Sequence, residues 1–280
     1  MKRIDSHQHF WQYNSAEHTW MTDEMQLLKK DFMPTDLSPL LNQIGFDGCI
    51  AVQARQSIKE TNWLLKLSNE NDFIKGVVGW VDLRSPDINE VLSGYENQKK
   101  LVGVRHVVND EADDNFLLQP AFQNGIAALK KFNLNYDLLL SPRHIPVALQ
   151  LVEKFPDQPF VLDHIAKPFI HKKEISPWKE DLMELAKYPN VFCKLSGMVT
   201  EAKWNDWKED DFKQYLDIVT ESFGTKRLMI GSDWPVCTLS GNYTATMNVV
   251  INYANQFSKE ISDGILGGNC INFYKIDFPI

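Results

Sequence analysis

The chain of 280 residues lacks the signatures of several protein classes. Its four cysteines, at 49, 193, 237 and 270, stand too far apart for a CxxC pair, which excludes a zinc ribbon or a dithiol redox motif. Three of them lie in apolar surroundings, where a free cysteine acts as a small hydrophobe, and this usage predicts a reducing, cytoplasmic compartment. The opening MKRIDSHQHF has no apolar h-region, so no signal peptide is expected. The stretch Trp234 to Ser258 carries no Asp, Glu, Lys or Arg, but it is rich in Asn, Thr and Ser and does not read as a membrane span. Positive charge is not concentrated. There are 29 basic against 37 acidic residues, a net charge of −8, and the lysine pairs are scattered among acids. A nucleic-acid partner is not expected from this pattern. Phosphate-loop glycine patterns are missing after the first apolar run, and so is the GxSxG elbow of serine hydrolases.

What is present is a repeat of β-rich segments: Arg3–His9, Asp47–Ala54, Ile74–Asp82, Leu101–Val108, Asn135–Leu140, Pro159–His164, Asn190–Ser196 and Arg227–Asp233. Several are continuous hydrophobic runs, as strands buried on both faces are. Amphipathic helical patterns lie between them, at Lys59–Glu70, Ile145–Phe155, Trp178–Tyr188 and Asp211–Phe223. Eight strands alternating with helices over this length predict an α/β chain folded as a single (β/α)8 TIM barrel, one domain over 1–280.

Most predicted strands end in a residue capable of chemistry, and barrel enzymes place their active sites at those ends. His7 and His9 stand at i and i+2, so a strand points both imidazoles at one spot, a spacing suited to one metal ion. Asp233 ends the apolar run Leu228–Ser232, where an acid is costly unless paired, hydrated or metal-bound. A helix cap or ion-pair partner is the alternative for Asp233. His164 ends another run, and strand alternation then turns Asp163 away from the axis. Arg55, Arg105, His106 and Lys194 are further strand-end candidates, with surface ion pairing as the alternative. Trp20 and Trp234 flank the motifs, with core packing as the alternative. Asp5, deeper in the first strand but of the same parity as His7, reads as structural.

The segments Asp5-Ser6-His7-Gln8-His9-Phe10-Trp11, Gly103-Val104-Arg105-His106, Leu162-Asp163-His164-Ile165-Ala166-Lys167-Pro168, Lys194-Leu195-Ser196-Gly197, Gly231-Ser232-Asp233-Trp234-Pro235 and Gly268–Tyr274 together resemble the amidohydrolase superfamily. More narrowly they resemble its lactonase branch, which opens small sugar-acid and dicarboxylate lactones. The resemblance runs nearly end to end. It implies a barrel that hydrolyses a lactone, with Asp233 as general base and His164 beside it as the catalytic pair. For such a substrate the strand-end residues Arg55, Arg105, His106 and Lys194 and the flanking Trp20 and Trp234 are the expected contacts. His7, His9, His164 and Asp233 are the implied ligands of a metal. The chain departs from the two-metal pattern, because its fourth strand offers no lysine and its fifth no histidine. At most one divalent ion is therefore expected, zinc first, with a metal-free mechanism left open. The competing readings are a metal-dependent decarboxylase of the same superfamily and a barrel that binds a sugar acid without turnover. A homo-oligomer is compatible with all three.

Overall fold

The computed structural model of the protein describes residues 1–278. Eight parallel strands follow one another in sequence order around a barrel: β1 Ile4–Gln8, β2 Gly48–Val52, β3 Ile74–Gly79, β4 Leu101–Val107, β5 Asn135–Leu139, β6 Phe160–Leu162, β7 Val191–Leu195 and β8 Leu228–Ile230. The helices are α1 Pro34–Gln43, α2 Ile58–Glu70, α3 Ile88–Ser93, α4 Pro120–Leu129, α5 Ile145–Lys154, α6 Trp178–Ala186, α7 Met198–Glu201, α8 Asp210–Phe223, α9 Tyr243–Ala254, α10 Lys259–Asp263 and α11 Asn269–Tyr274. The four helical patterns read from the sequence correspond to α2, α5, α6 and α8. Ser57 caps α2 and Asn242 caps α9, each accepting a backbone N–H three residues on, as short polar residues do at helix starts. None of the described helices is long and apolar enough to cross a membrane.

The barrel closes where β1 meets β8. His9 N–H donates to the Trp234 carbonyl at 2.6 Å, and Asp233 N–H donates to the His7 carbonyl at 2.8 Å. These two bonds seat Asp233 beside both histidines. Asp5 has the structural place expected of it, although it shares sequence parity with His7: the register of β1 against β2 shifts between Asp5 and Gln8. Asp5 meets α9. Its carboxylate accepts from Tyr243 Oη at 3.2 Å, from Ser232 N at 2.9 Å and from His7 N at 3.2 Å. It tethers the backbone on either side of the seam.

The apolar interior has two parts. The larger lies between strands and helices. The smaller fills the lower barrel with Ile4, Ile50, Val52, Val78, Val102, Val161 and Met229, packed against Cys270, Phe273 and Tyr274 of α11. Helix α11 therefore plugs one end of the barrel, and the chemistry is confined to the other. All four cysteines are buried and free.

Candidate active site

Above the apolar plug comes a layer of buried charge. Lys194 of β7 is fully buried, with Nζ 2.5 Å from Asp137 Oδ2 and 3.0 Å from Asp163 Oδ1. Tyr274 Oη donates to Asp137 as well. Arg105 Nη1 lies 3.0 Å from Asp163 Oδ2, and its Nη2 donates to the Gln53 side-chain oxygen at 2.9 Å and to the Gln53 carbonyl. Two cations thus face two carboxylates in a dry layer. Burial pushes the Asp137 carboxyl up, against the pull of Lys194. Asp163 is also buried, but Lys194, His7 and Arg105 outweigh that and hold it well below the usual carboxylate range.

His7 links this layer to the pocket. Its Nδ1 is 3.2 Å from Asp163 Oδ1, while its Nε2 is 3.3 Å from His9 Nε2 and 3.8 Å from Asp233 Oδ1. His9 donates Nδ1–H to the Val52 carbonyl at 2.8 Å, which leaves Nε2 turned to Asp233 Oδ1 at 3.2 Å. His164 repeats the pattern, with Nδ1 2.9 Å from Ser196 Oγ and Nε2 3.9 Å from the same Asp233 oxygen. Three Nε2 atoms therefore converge on one carboxylate oxygen. Burial lowers the basicity of His7 and His164 far below that of free imidazole. Burial pushes the Asp233 carboxyl pKa up, but His164, the hydrogen bond with His9, and Lys167 more than reverse this and hold it below the ordinary carboxylate value.

This donor set fits one divalent ion. Each Nδ1 has an outer partner, the arrangement that fixes a ligating histidine. With its Nδ1 engaged on the Val52 carbonyl, His9 has Nε2 to offer an ion beside the Asp233 carboxylate. The ligand atoms of His7, His164 and Asp233 lie within 4.8 Å of one another.

The pocket over this floor has a volume of about 530 Å³. Its wall includes His9, His164, Asp233, Trp20, Arg55, Arg105 and Lys167. Arg55 is held between Glu17 and the buried Glu60. Glu60 accepts from Arg55 N–H at 2.7 Å, and burial pushes its carboxyl up to about 7. Lys167 pairs with Glu201 of α7 at 2.8 Å.

The pocket wall leaves out three expected substrate contacts. Lys194 lies beneath the floor, spent on Asp137 and Asp163. His106 faces the helix layer. It stacks on Phe116 with centroids 4.5 Å apart, and its Nε2 meets Glu111 at 2.7 Å. Strand alternation forbids neighbours Arg105 and His106 from both facing inward, and Arg105 is the one that does. Trp234 is 3% exposed and packs edge-on against Phe10 and Phe32. A fourth correction concerns Asp163, which faces inward together with His164. Strand β6 stops at Leu162, and His164, Ile165, Ala166 and Lys167 all adopt positive φ, between 48° and 60°. This single left-handed turn breaks the alternation, so consecutive side chains reach the site.

The sequence reading passed over Lys167, Glu201, Glu17 and Glu60. Glu60 falls in the first turn of the expected helix Lys59–Glu70, a position where acids are ordinarily solvated. The only sequence signal for it was Ser57 three residues earlier, which marks a helix start without revealing that the acid is buried.

Residues 4–276 match the family model for amidohydrolases. The L-fucono-1,5-lactonase of Burkholderia ambifaria is 36% identical over 284 residues, covering 99% of this chain and 97% of that protein. Its counterpart in Burkholderia multivorans is 37% identical over 288 residues, with the same coverage. A crystal structure of a Burkholderia multivorans amidohydrolase with bound zinc superposes with a TM-score of 0.95 at 37% identity, covering 99% of this chain and all of that one. The family match spans the barrel from its first strand to its closing helix, and this chain belongs to the amidohydrolase family.

Proposed function

We propose that the protein hydrolyses a sugar-acid lactone of the L-fucono-1,5-lactone kind, with Asp233 as the general base. The observation that carries this reading is the ionised Asp233 among three imidazoles on the floor of a pocket that would hold one small ring. The near full-length similarity to two L-fucono-1,5-lactonases supports the substrate class.

A lactone is a cyclic ester. Asp233 takes a proton from water as the water oxygen bonds to the lactone carbonyl carbon. The carbonyl oxygen becomes an oxyanion. When that oxyanion collapses, the ring C–O bond breaks, and the proton on Asp233 passes to the departing ring oxygen. The product is an open-chain hydroxy acid. His164 shares the floor with Asp233 and holds its charge. Trp20 and Arg55 line the wall, where an indole face and a guanidinium suit a polyhydroxy ring.

His7, His9, His164 and Asp233 would hold the ion, and zinc suits a set of imidazoles and one carboxylate. When bound, such an ion supplies Lewis acidity and lowers the pKa of its water. One ion is the limit we assign. Arg105 Nη1 and Lys194 Nζ, permanent cations, lie 3.3 and 3.2 Å from the two nitrogens of His7 and oppose a second divalent charge. Elemental analysis should return no more than one ion per chain, and two tightly held ions would overturn the assignment.

The activity is tested with a panel of sugar-acid lactones in weak buffer containing a pH indicator. Wild type should release acid, and Asp233→Asn should lower kcat by ~10²–10⁴ with an unchanged melting temperature. No acid release from any lactone, or near-wild-type turnover by Asp233→Asn, would remove the reading.

A further inference from the structure

Three cations line the pocket, and they differ in what they have left to give. Arg105 is 4% exposed. Its four terminal hydrogens face four acceptors: His7 Nε2, Asp163 Oδ2, the Gln53 carbonyl and Gln53 Oε1. Arg55 has Nη1 on Glu17 and Nε on Glu60, and keeps Nη2 for the ring hydroxyls assigned to it above. Lys167 meets one carboxylate, Glu201 Oε1 at 2.8 Å, and its side chain is 28% exposed. An ammonium has three hydrogens, so two remain for a ligand. Lys167 also shares the pocket wall with His164 and Asp233, and its charge reaches the Asp233 carboxylate.

We propose that Lys167 is a further catalytic residue, whose ammonium donates a hydrogen bond to the lactone carbonyl oxygen, and that Glu201 positions it. This rests on the lactonase reading above. No bond forms or breaks at Nζ. The carbonyl π pair moves onto oxygen as the water oxygen bonds to carbon, and the Lys167 hydrogen bond strengthens as that charge grows. The pair returns when the ring C–O bond breaks. Such a donor acts on the transition state more than on the bound substrate.

The left-handed turn is what delivers it. His164 to Lys167 form one turn, closed by Lys167 N–H donating to the His164 carbonyl at 2.8 Å. The turn brings Lys167 back to the pocket that His164 lines. Left-handed backbone is disfavoured at every non-glycine residue, and here four in a row adopt it. The alternative is that Lys167 and Glu201 only clamp the loops after β6 and β7 together. Those loops are already joined by His164 Nδ1 and Ser196 Oγ, and by His171 Nδ1 and the Glu201 carbonyl at 3.1 Å. A clamp there is redundant.

The test measures kcat, KM and melting temperature of Lys167→Met, Lys167→Arg and Glu201→Gln, on the lactone that wild type turns over best. Lys167→Met should lower kcat by ~10²–10³ with KM changed less than about threefold. Lys167→Arg should recover about tenfold of that loss, and Glu201→Gln should lose no more than about tenfold. Equal losses for Lys167→Met and Glu201→Gln, or a loss that follows a fall in melting temperature, would reduce Lys167 to a clamp. Should Lys167→Met fail to fold, Lys167→Gln is judged by the same criteria. A wild type active on lactones with a fully active Lys167 variant overturns this proposal alone. A wild type inert on the whole panel overturns the lactonase reading and this one together.

Discussion

Two ionic assemblies share one barrel mouth and differ in a single condition, access to water. Below the pocket floor, Lys194 is wedged between Asp137 and Asp163 with every side chain fully buried. At the wall, Lys167 pairs with Glu201 and Arg55 with Glu17, all partly exposed. Both pair a basic side chain with a carboxylate. In the dry layer each charge is fixed by its neighbours and serves as scaffold, because an unpaired buried charge costs several kcal/mol. At the wall the pairs contribute little to stability, and their spare donors are open to a ligand. Burial, more than residue type, separates a structural lysine from a reactive one.

Breaking the dry layer should have the largest effect. Lys194→Met strands the buried Asp137 carboxylate, leaves Asp163 to Arg105 and His7, and should cost about 3–5 kcal/mol in urea unfolding. Adding Asp137→Asn should restore part of that, since the stranded charge is then gone. A Lys194→Met variant as stable as wild type would erase the distinction between the layers.

Glu60 lies between the two regimes, buried but bound to a wall residue. Its ordinary pKa of 4.5 is pushed up to about 7 in the fold. Between those values the folded state holds a proton that the unfolded state has lost. The stability it contributes is therefore complete below about pH 4.5 and disappears as pH rises through about 7. Glu60→Gln should flatten that decline, by up to about 3 kcal/mol between pH 4.5 and 8. Parallel stability curves for the two proteins would show that Glu60 is not the group responsible.

The smallest effect is expected at the wall. Glu17 has a half-exposed carboxylate, so Glu17→Gln should shift stability by less than about 1 kcal/mol. It frees one side of Arg55, and KM for the best lactone should move by no more than about threefold. A large stability loss would place the Arg55 pair with the dry layer instead.

Much of the scaffold was legible in sequence because parallel strands buried on both faces write themselves as continuous apolar runs. His7 and His9 were legible through strand alternation, and Asp233 because an acid after Leu228–Ser232 needs a reason. The failures share a cause, which is that linear parity holds only while the strand does. Asp163 lies after the end of β6, so it was turned the wrong way. The turn at 164–167 contains no glycine, so nothing in its composition marked positive φ, and Lys167 read as loop. Lys194 was found, but its role depends on Asp137 from another strand, which no local pattern reveals.

The seam between β1 and β8 also has a kinetic consequence. His9 and Asp233 are 224 residues apart in sequence and meet only when the ring is complete. Joining ends so distant carries a loop-closure entropy of about 5 kcal/mol, which the seam and the plug beneath it must offset. A partly assembled sheet can have its helices and most of its strands in place while His7 and His9 still lack Asp233. During refolding, far-UV circular dichroism would report the growth of the sheet, and turnover would report the moment at which it becomes a barrel.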